Sequence, residues 1–137
     1  MIREHYDAVT ALFPAGLTVY RGNVPEKPVY PYAVLWGDLG EESSGGPDGD
    51  SLEDVPDVLD IRIRATYAGL TGDSVLIVCR NTRAALSRKT PVVAGWSPNK
   101  LRQSSLQDVQ TDTSVTLTGG ANPIFAVDEF ALVSSKL

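Results

Sequence analysis

The sequence predicts an α+β protein: a mainly antiparallel sheet packed with two helices, with a long acidic loop between early strands. Three observations predict it. Residues 57–68 alternate apolar and polar side chains with period two. Residues 2–13 and 73–88 carry apolar side chains at helical spacing. The remaining strand-like runs are grouped around these two helices rather than alternating with them, which argues against a doubly wound parallel sheet. A chain of 137 residues fits one domain, spanning 1–137, and at this length a chain buries roughly two-thirds of its unfolded surface.

In order along the chain, Ile2, Tyr6, Val9, Leu12 and Phe13 make the apolar stripe of the first helix, which Pro14 and Gly16 stop. Leu17 to Tyr20 is short and β-prone. Gly22, Pro25, Pro28 and Pro31 make residues 21–31 an extended connection. Tyr32 to Trp36 is rich in strand formers. Residues 39–56 are expected to form a mobile acidic loop, because 40–50 hold no apolar residue to offset ordering entropy.

The 57–68 strand places Leu59, Ile61, Ile63, Ala65 and Tyr67 on one side. Asp60, Arg62, Arg64 and Thr66 fall on the other, a solvent or partner face. In the second helix Val75, Val78, Cys79, Thr82, Ala85 and Leu86 form the buried stripe. Thr71 or Asp73 can cap its start, and Arg88 and Lys89 suit its C-terminal dipole. Val92 to Trp96 is expected as a short strand, 99–104 as a strand or turn, and 106–117 as a weakly alternating strand. After a turn at 119–122, a last strand from Ile124 to Val133 is apolar on both sides, and the final two runs pair as an antiparallel hairpin. No internal repeat is visible.

Charge is unevenly spread. The formal net charge is -5, so binding nucleic acid through a basic surface is not the default. Residues 38–60 hold nine acids and no base, whereas 61–102 hold eight bases and Asp73 alone among acids. An acidic segment followed directly by a basic one suits complementary contacts, including contacts between copies. The single cysteine, Cys79, excludes an internal disulfide and a two-cysteine zinc site. No signal peptide and no membrane-crossing run is visible.

Chemical motifs are sparse. Gly69-Leu70-Thr71-Gly72-Asp73-Ser74 sits between a strand and a helix but lacks both phosphate-loop endings, so it reads as a turn and cap. His5 falls at the beginning of a helix and Cys79 on a core stripe, a poor basis for a nucleophile and its base. Asp48, Asp50, Glu53 and Asp54 do not follow the calcium-loop spacing. Neither metal nor cofactor is expected, nor an enzymatic activity. Trp36, Trp96, Tyr30, Tyr32 and Tyr67 serve either a pocket, the core or an interface. Tyr30-Pro31-Tyr32 puts rigid aromatic area beside an extended segment, which suits an interface.

The distributed pattern resembles the tail terminator proteins of long-tailed, siphovirus-type bacteriophages, in particular those infecting actinobacteria. The matching features are the short N-terminal helix, Tyr30-Pro31-Tyr32-Ala33-Val34-Leu35, the polar loop and the 60–67 strand. Arg80-Asn81-Thr82-Arg83-Ala84-Ala85-Leu86 and Pro91-Val92-Val93-Ala94-Gly95-Trp96 complete them. The resemblance implies a virion protein of the tail and neck, put together in the bacterial cytoplasm. It implies self-association into a six-fold ring, contact with the tail tube protein and with a head–tail connector or stopper protein, and DNA only passing through the channel.

On that footing, Glu41, Glu42, Asp48, Asp50, Glu53 and Asp54 are expected in a flexible or lumen-facing acidic loop that repels phosphate. Tyr30, Tyr32, Arg62, Arg64, Arg80, Arg83 and Arg88 are expected at contacts with a neighbouring copy or partner. Another connector, stopper or minor tail protein, or a monomeric binding module, are the alternatives.

Overall fold

The computed structural model describes residues 2–43, 57–117, 120 and 122–137. Among these, helix α1 (Ile2–Thr10) leads into strands β1 (Thr18–Arg21), β2 (Tyr32–Gly37), β3 (Glu41–Ser43) and β4 (Val58–Gly69). Helix α2 (Gly72–Leu86) follows, then β5 (Trp96–Pro98), β6 (Arg102–Thr111) and β7 (Ile124–Lys136). The fold is α+β, with the seven strands in one mixed sheet curled as a half-barrel.

The sheet is built on β4 and β7, which pair antiparallel without a register shift from Val58↔Ser135 to Gly69↔Ile124. β2 and β3 share the other edge of β4, and β5 and β6 share the far edge of β7. Only β1 runs parallel to its neighbour, β2. Period-two alternation gives the sheet two different faces. One face carries Ala33, Leu35, Leu59, Ile61, Ile63, Ala65, Tyr67, Ala126, Phe130 and Leu132, which form the core with Val9 and Phe13 near α1 and Val75, Val78 and Leu86 of α2. Among the described residues, no helix packs on the other face.

The strand-to-helix turn between β4 and α2 is tight. A Cβ on Gly69 would meet the Ser74 hydroxyl and stand 3.1 Å from Val75. Thr71 is the N-cap: its hydroxyl accepts from the Ser74 N–H at 3.1 Å, and the Thr71 N–H donates back to Ser74 Oγ. This reciprocal pair satisfies two of the otherwise orphaned donors at a helix start.

Four expectations change. Glu41 and Glu42 lie in a strand, not in a loop, because Glu41–Ser43 pairs with Val58–Asp60. The turn before it is fastened by Asp38, whose Oδ1 accepts from the N–H groups of both Gly40 and Arg62 at 3.1 Å. Ladder and turn bonds here replace the missing apolar burial. Asp48, Asp50, Glu53 and Asp54, and with them the rest of the expected loop, lie outside the described residues.

The segment expected as a strand at 92–96 is a turn ending on Gly95 at φ +80°, and β5 starts at Trp96. Its Pro91 and Val93 are buried while Val92 is exposed, so alternation exists without a ladder. The two runs at 99–104 and 106–117 merge into β6, which stops at Thr111. Asp112 Oδ1 accepts from the Ser114 N–H and turns the chain there.

His5 is the fourth. It is fully buried, with Nε2 2.7 Å from Ser134 Oγ and its ring edge-on to Trp96. It joins α1 to β7 and β5.

The alternation of β4 makes a direct test. Ile63→Ala should cost about 2–5 kcal/mol in urea unfolding, whereas Arg62→Ala, one residue away on the open face, should change stability by no more than about 0.5 kcal/mol.

Candidate functional site

The helix-free face of the sheet divides into an ionic half and an aromatic half. In the ionic half, Arg62 and Arg64 of β4 flank Glu129 of β7. Arg64 Nε donates to Glu129 Oε2 at 3.3 Å, and Arg62 Nε lies 4.0 Å from Oε1. Cross-strand opposite charges of this kind are worth fractions of a kcal/mol. Asp38, Glu41 and Asp60 border the same two arginines. Glu41 therefore faces bases of its own chain.

Arg64 also stands over the Trp36 ring, 5.1 Å from its centroid, and this contact joins the ionic half to the aromatic half. There, Tyr32, Val34 and Trp36 of β2, Thr66 and Ala68 of β4, and Phe125 of β7 floor a cleft of about 450 Å³. Gly22, Val24, Asp112 and Pro123 form its walls. Alternation places these β2, β4 and β7 side chains on one face, opposite the core. Trp36 Nε1 donates to Thr66 Oγ1 at 2.8 Å, which fixes the indole. Asp112 is the one charged residue among the described residues lining the cleft.

Tyr20, Tyr30 and Tyr32 stack beside the cleft, with ring centroids 5.3 Å (Tyr20–Tyr32) and 5.1 Å (Tyr30–Tyr32) apart. Burial pushes the Tyr32 phenol up to about 12, with Tyr30 and the Asp112 charge adding to it. This end of the cleft disfavours added negative charge.

The core side holds a second polar cluster, centred on Asp128 of β7. Its side chain is almost fully buried. Arg83 of α2 grips it with both arms, Nε to Oδ2 at 2.8 Å and Nη2 to Oδ1 at 2.6 Å. The Tyr67 hydroxyl of β4 donates to Oδ2 at 2.9 Å, and Gln103 Nε2 of β6 donates to Oδ1 at 3.2 Å. The Cys79 thiol reaches Oδ2 at 3.5 Å.

Burial by itself would raise the Asp128 pKa, but the bonds from Arg83, Tyr67 and Gln103 outweigh it and hold the carboxyl below its ordinary range. Burial and the adjacent carboxylate raise Tyr67, and the bond to Asp128 raises Arg83. Burial first, then Asp128, pushes the Cys79 thiol up to about 11.

The sequence-predicted residues thus separate. Tyr32 lines the cleft and Tyr30 stacks on it; Arg62 and Arg64 lie on the same open face. Arg80 is exposed on α2, on the opposite side of the sheet, and makes no ion pair among the described residues. Arg88 ends the α2 segment with φ 61°, its N–H bonded to the Leu101 carbonyl. Arg83 does not wait for an acidic neighbour: its guanidinium is bidentate to Asp128 of the same chain, which removes it from the set of free interface cations.

Asp128, Gln103, Asp112 and Phe125 were not singled out by sequence reasoning. A lone acid at an inward position between Ala126 and Phe130 was the available signal, since buried carboxylates are paired.

No protein-family model matches the chain, and no curated protein or solved structure matches it. No helix of the described residues is long and apolar enough to cross a membrane.

Two measurements test the cluster. Because the folded pKa of Asp128 is depressed, its stabilisation is full above the ordinary carboxylate value near 4 and is lost as pH falls through the folded value. The stability gap between wild type and Asp128→Asn should therefore be widest above about pH 5 and narrow on acidification; denaturant titrations from pH 7 to pH 3 read it. Asp128→Ala, which strands Tyr67 and Arg83, should cost about 3–5 kcal/mol at pH 7. With the thiol near 11, the folded chain at pH 8 should hold on the order of 100-fold less thiolate than a free cysteine, and an aromatic disulfide reagent should label Cys79 correspondingly slowly until the chain is unfolded.

Proposed function

We propose that this chain is a structural assembly protein of the tail-terminator kind. Copies close into a ring on the end of a tail tube, stop its polymerisation and present the surface that meets the head connector, while DNA passes through the channel. The observation that carries the assembly part is the unfinished state of both sides of the sheet. On the open face, an aromatic cleft of about 450 Å³ beside packed tyrosines is left uncovered by the described residues. On the helix side, Leu76 and Ile77 of α2 are each more than half exposed. Exposed apolar area rimmed by polar residues marks interaction surfaces.

The tail part rests on the resemblance of the sequence motifs. Two placements are compatible with it. His5 and Cys79 are both held in structural contacts, with Ser134 and Asp128. The ionic half of the open face offers charges of both signs, which suits contacts that select a partner and an orientation.

Light scattering after size-exclusion chromatography, with negative-stain imaging, tests the reading. The expected result is a closed ring of about six copies, alone or on adding a siphovirus-type tail tube protein, with rings seen at tube ends. A chain that stays monomeric at every concentration and does not bind tube ends would overturn it.

A further inference from the structure

Arg80 sits at the centre of an apolar patch on α2. Leu76 and Ile77 lie one turn before it and Ala84 one turn after, so all four share one helix surface. Leu76 is 56% exposed and Ile77 51%. Arg80 and Ala84 are exposed as well. An exposed helix surface of a monomer is normally polar. Here Leu76, Ile77 and Ala84 surround one cation that makes no ion pair among the described residues, with Asp73 and Asn81 as the polar residues exposed beside them.

The cleft on the other side of the sheet has the inverse composition. Tyr32, Trp36 and Phe125 give it an aromatic floor with Val34, Val24 and Pro123 give it apolar walls, and Asp112, whose Oδ1 accepts from the Ser114 N–H and hydroxyl, supplies one carboxylate. Aromatic faces and a carboxylate together are the chemistry that receives a guanidinium. Trp36 already holds one cation, Arg64, against its ring. The desolvated Tyr32 phenol adds a hydrogen-bonding group that resists ionisation.

We propose that the aromatic cleft is the docking site for α2 of a second copy of this chain, with Arg80 inserted toward Asp112 and Leu76 and Ile77 covering the apolar walls. The two surfaces lie on opposite faces of one sheet, so a chain cannot satisfy its own cleft. Each copy offers its helix to one neighbour and its cleft to another. That contact is heterologous, and repeated with a suitable rotation it closes a ring. An arginine within a desolvated apolar surround is also the kind of residue that dominates an interface. The occupant is a copy rather than another protein because both complementary halves, in charge and in apolarity, are present on this chain. The contact deepens the ring reading above and rests on it.

Charge exchange tests the pairing on the full-length chain. Arg80→Glu should weaken self-association, read by sedimentation, by at least about tenfold, with an unchanged thermal midpoint at dilutions where both chains are monomeric, because Arg80 is exposed. Arg80→Lys should retain most of it. Asp112→Lys combined with Arg80→Glu should restore association that each single change loses. As a second measurement, Arg80→Cys with Asp112→Cys, in a Cys79→Ser background, should give disulfide-linked multimers on oxidation, and neither cysteine alone should.

Equal association of wild type and Arg80→Glu, or a double-cysteine chain that stays monomeric, would overturn the contact. If Arg80→Glu still caps tube ends as wild type does, this inference falls and the tail-terminator reading stands. If the cross-linked multimers form but tube ends are never bound, the contact stands and the tail reading falls.

Discussion

Asp128 is a carboxylate taken out of water at the middle of the longest strand, and the rest of the fold is arranged to make that tolerable. Isolated burial of such a group is prohibitive. Its two oxygens are met by a guanidinium from α2, a phenol from β4, an amide from β6 and a thiol from α2. Three elements, α2, β4 and β6, are thereby fixed relative to one atom pair on β7. An ion pair of this sort adds little net stability over an apolar substitute, because desolvation offsets the attraction. Its effect is on specificity. A one-residue slip of β7 would turn Asp128 to the open face and leave Tyr67 without an acceptor. A rotation of α2 would withdraw Arg83.

This constraint also anchors the end of α2. Thr71 and the crowded Gly69 turn hold its start, and Arg83 holds its last turn. Between these anchors Val75, Val78, Thr82 and Leu86 face inward. The positions that face outward are thus fixed rigidly too. Leu76, Ile77 and Arg80 are presented on a helix backbone held at both ends, so in the proposed contact the ordering entropy left to lose is that of their side chains.

Much of the fold was legible from local pattern. The strict alternation from Leu59 to Tyr67 located β4 and its buried side, and the Val75–Leu86 stripe located α2. What the pattern could not show was pairing between distant residues. Tyr67, Arg83 and Gln103 lie 61, 45 and 25 positions from Asp128, and β7 simply read as apolar on both sides. Glu41–Ser43 has no strand-like composition; it is a strand because Val58–Asp60 lies beside it and Asp38 splices the turn. Arg83 illustrates the limit most clearly. On a helical wheel it belongs with Arg80 at the polar margin, yet one arginine is bound to a buried acid and the other makes no ion pair among the described residues. The cleft was half visible: Trp36, Tyr30 and Tyr32 stood out as aromatics, but Phe125 and Asp112 arrive from a strand and a turn that pair only in the folded chain.

The same period-two alternation that builds the core also bears on the assembly proposed above. In β2, Ala33 and Leu35 go to the core while Tyr32, Val34 and Trp36 go to the cleft. In β4, Tyr67 goes to Asp128 while Thr66 fixes the Trp36 indole. Each strand therefore contributes to two surfaces that cannot touch within one molecule, one covered by helices and one left open. A self-complementary dimer would have to use one surface twice, and the cleft meeting another cleft would bring two carboxylates and no unpaired base of the cleft lining to one contact. Helix meeting cleft sets Arg80 against Asp112 and apolar area against apolar area. Charge and apolarity both favour the proposed contact that joins unlike surfaces, and unlike surfaces on opposite sides of one sheet propagate around an axis rather than ending in a pair.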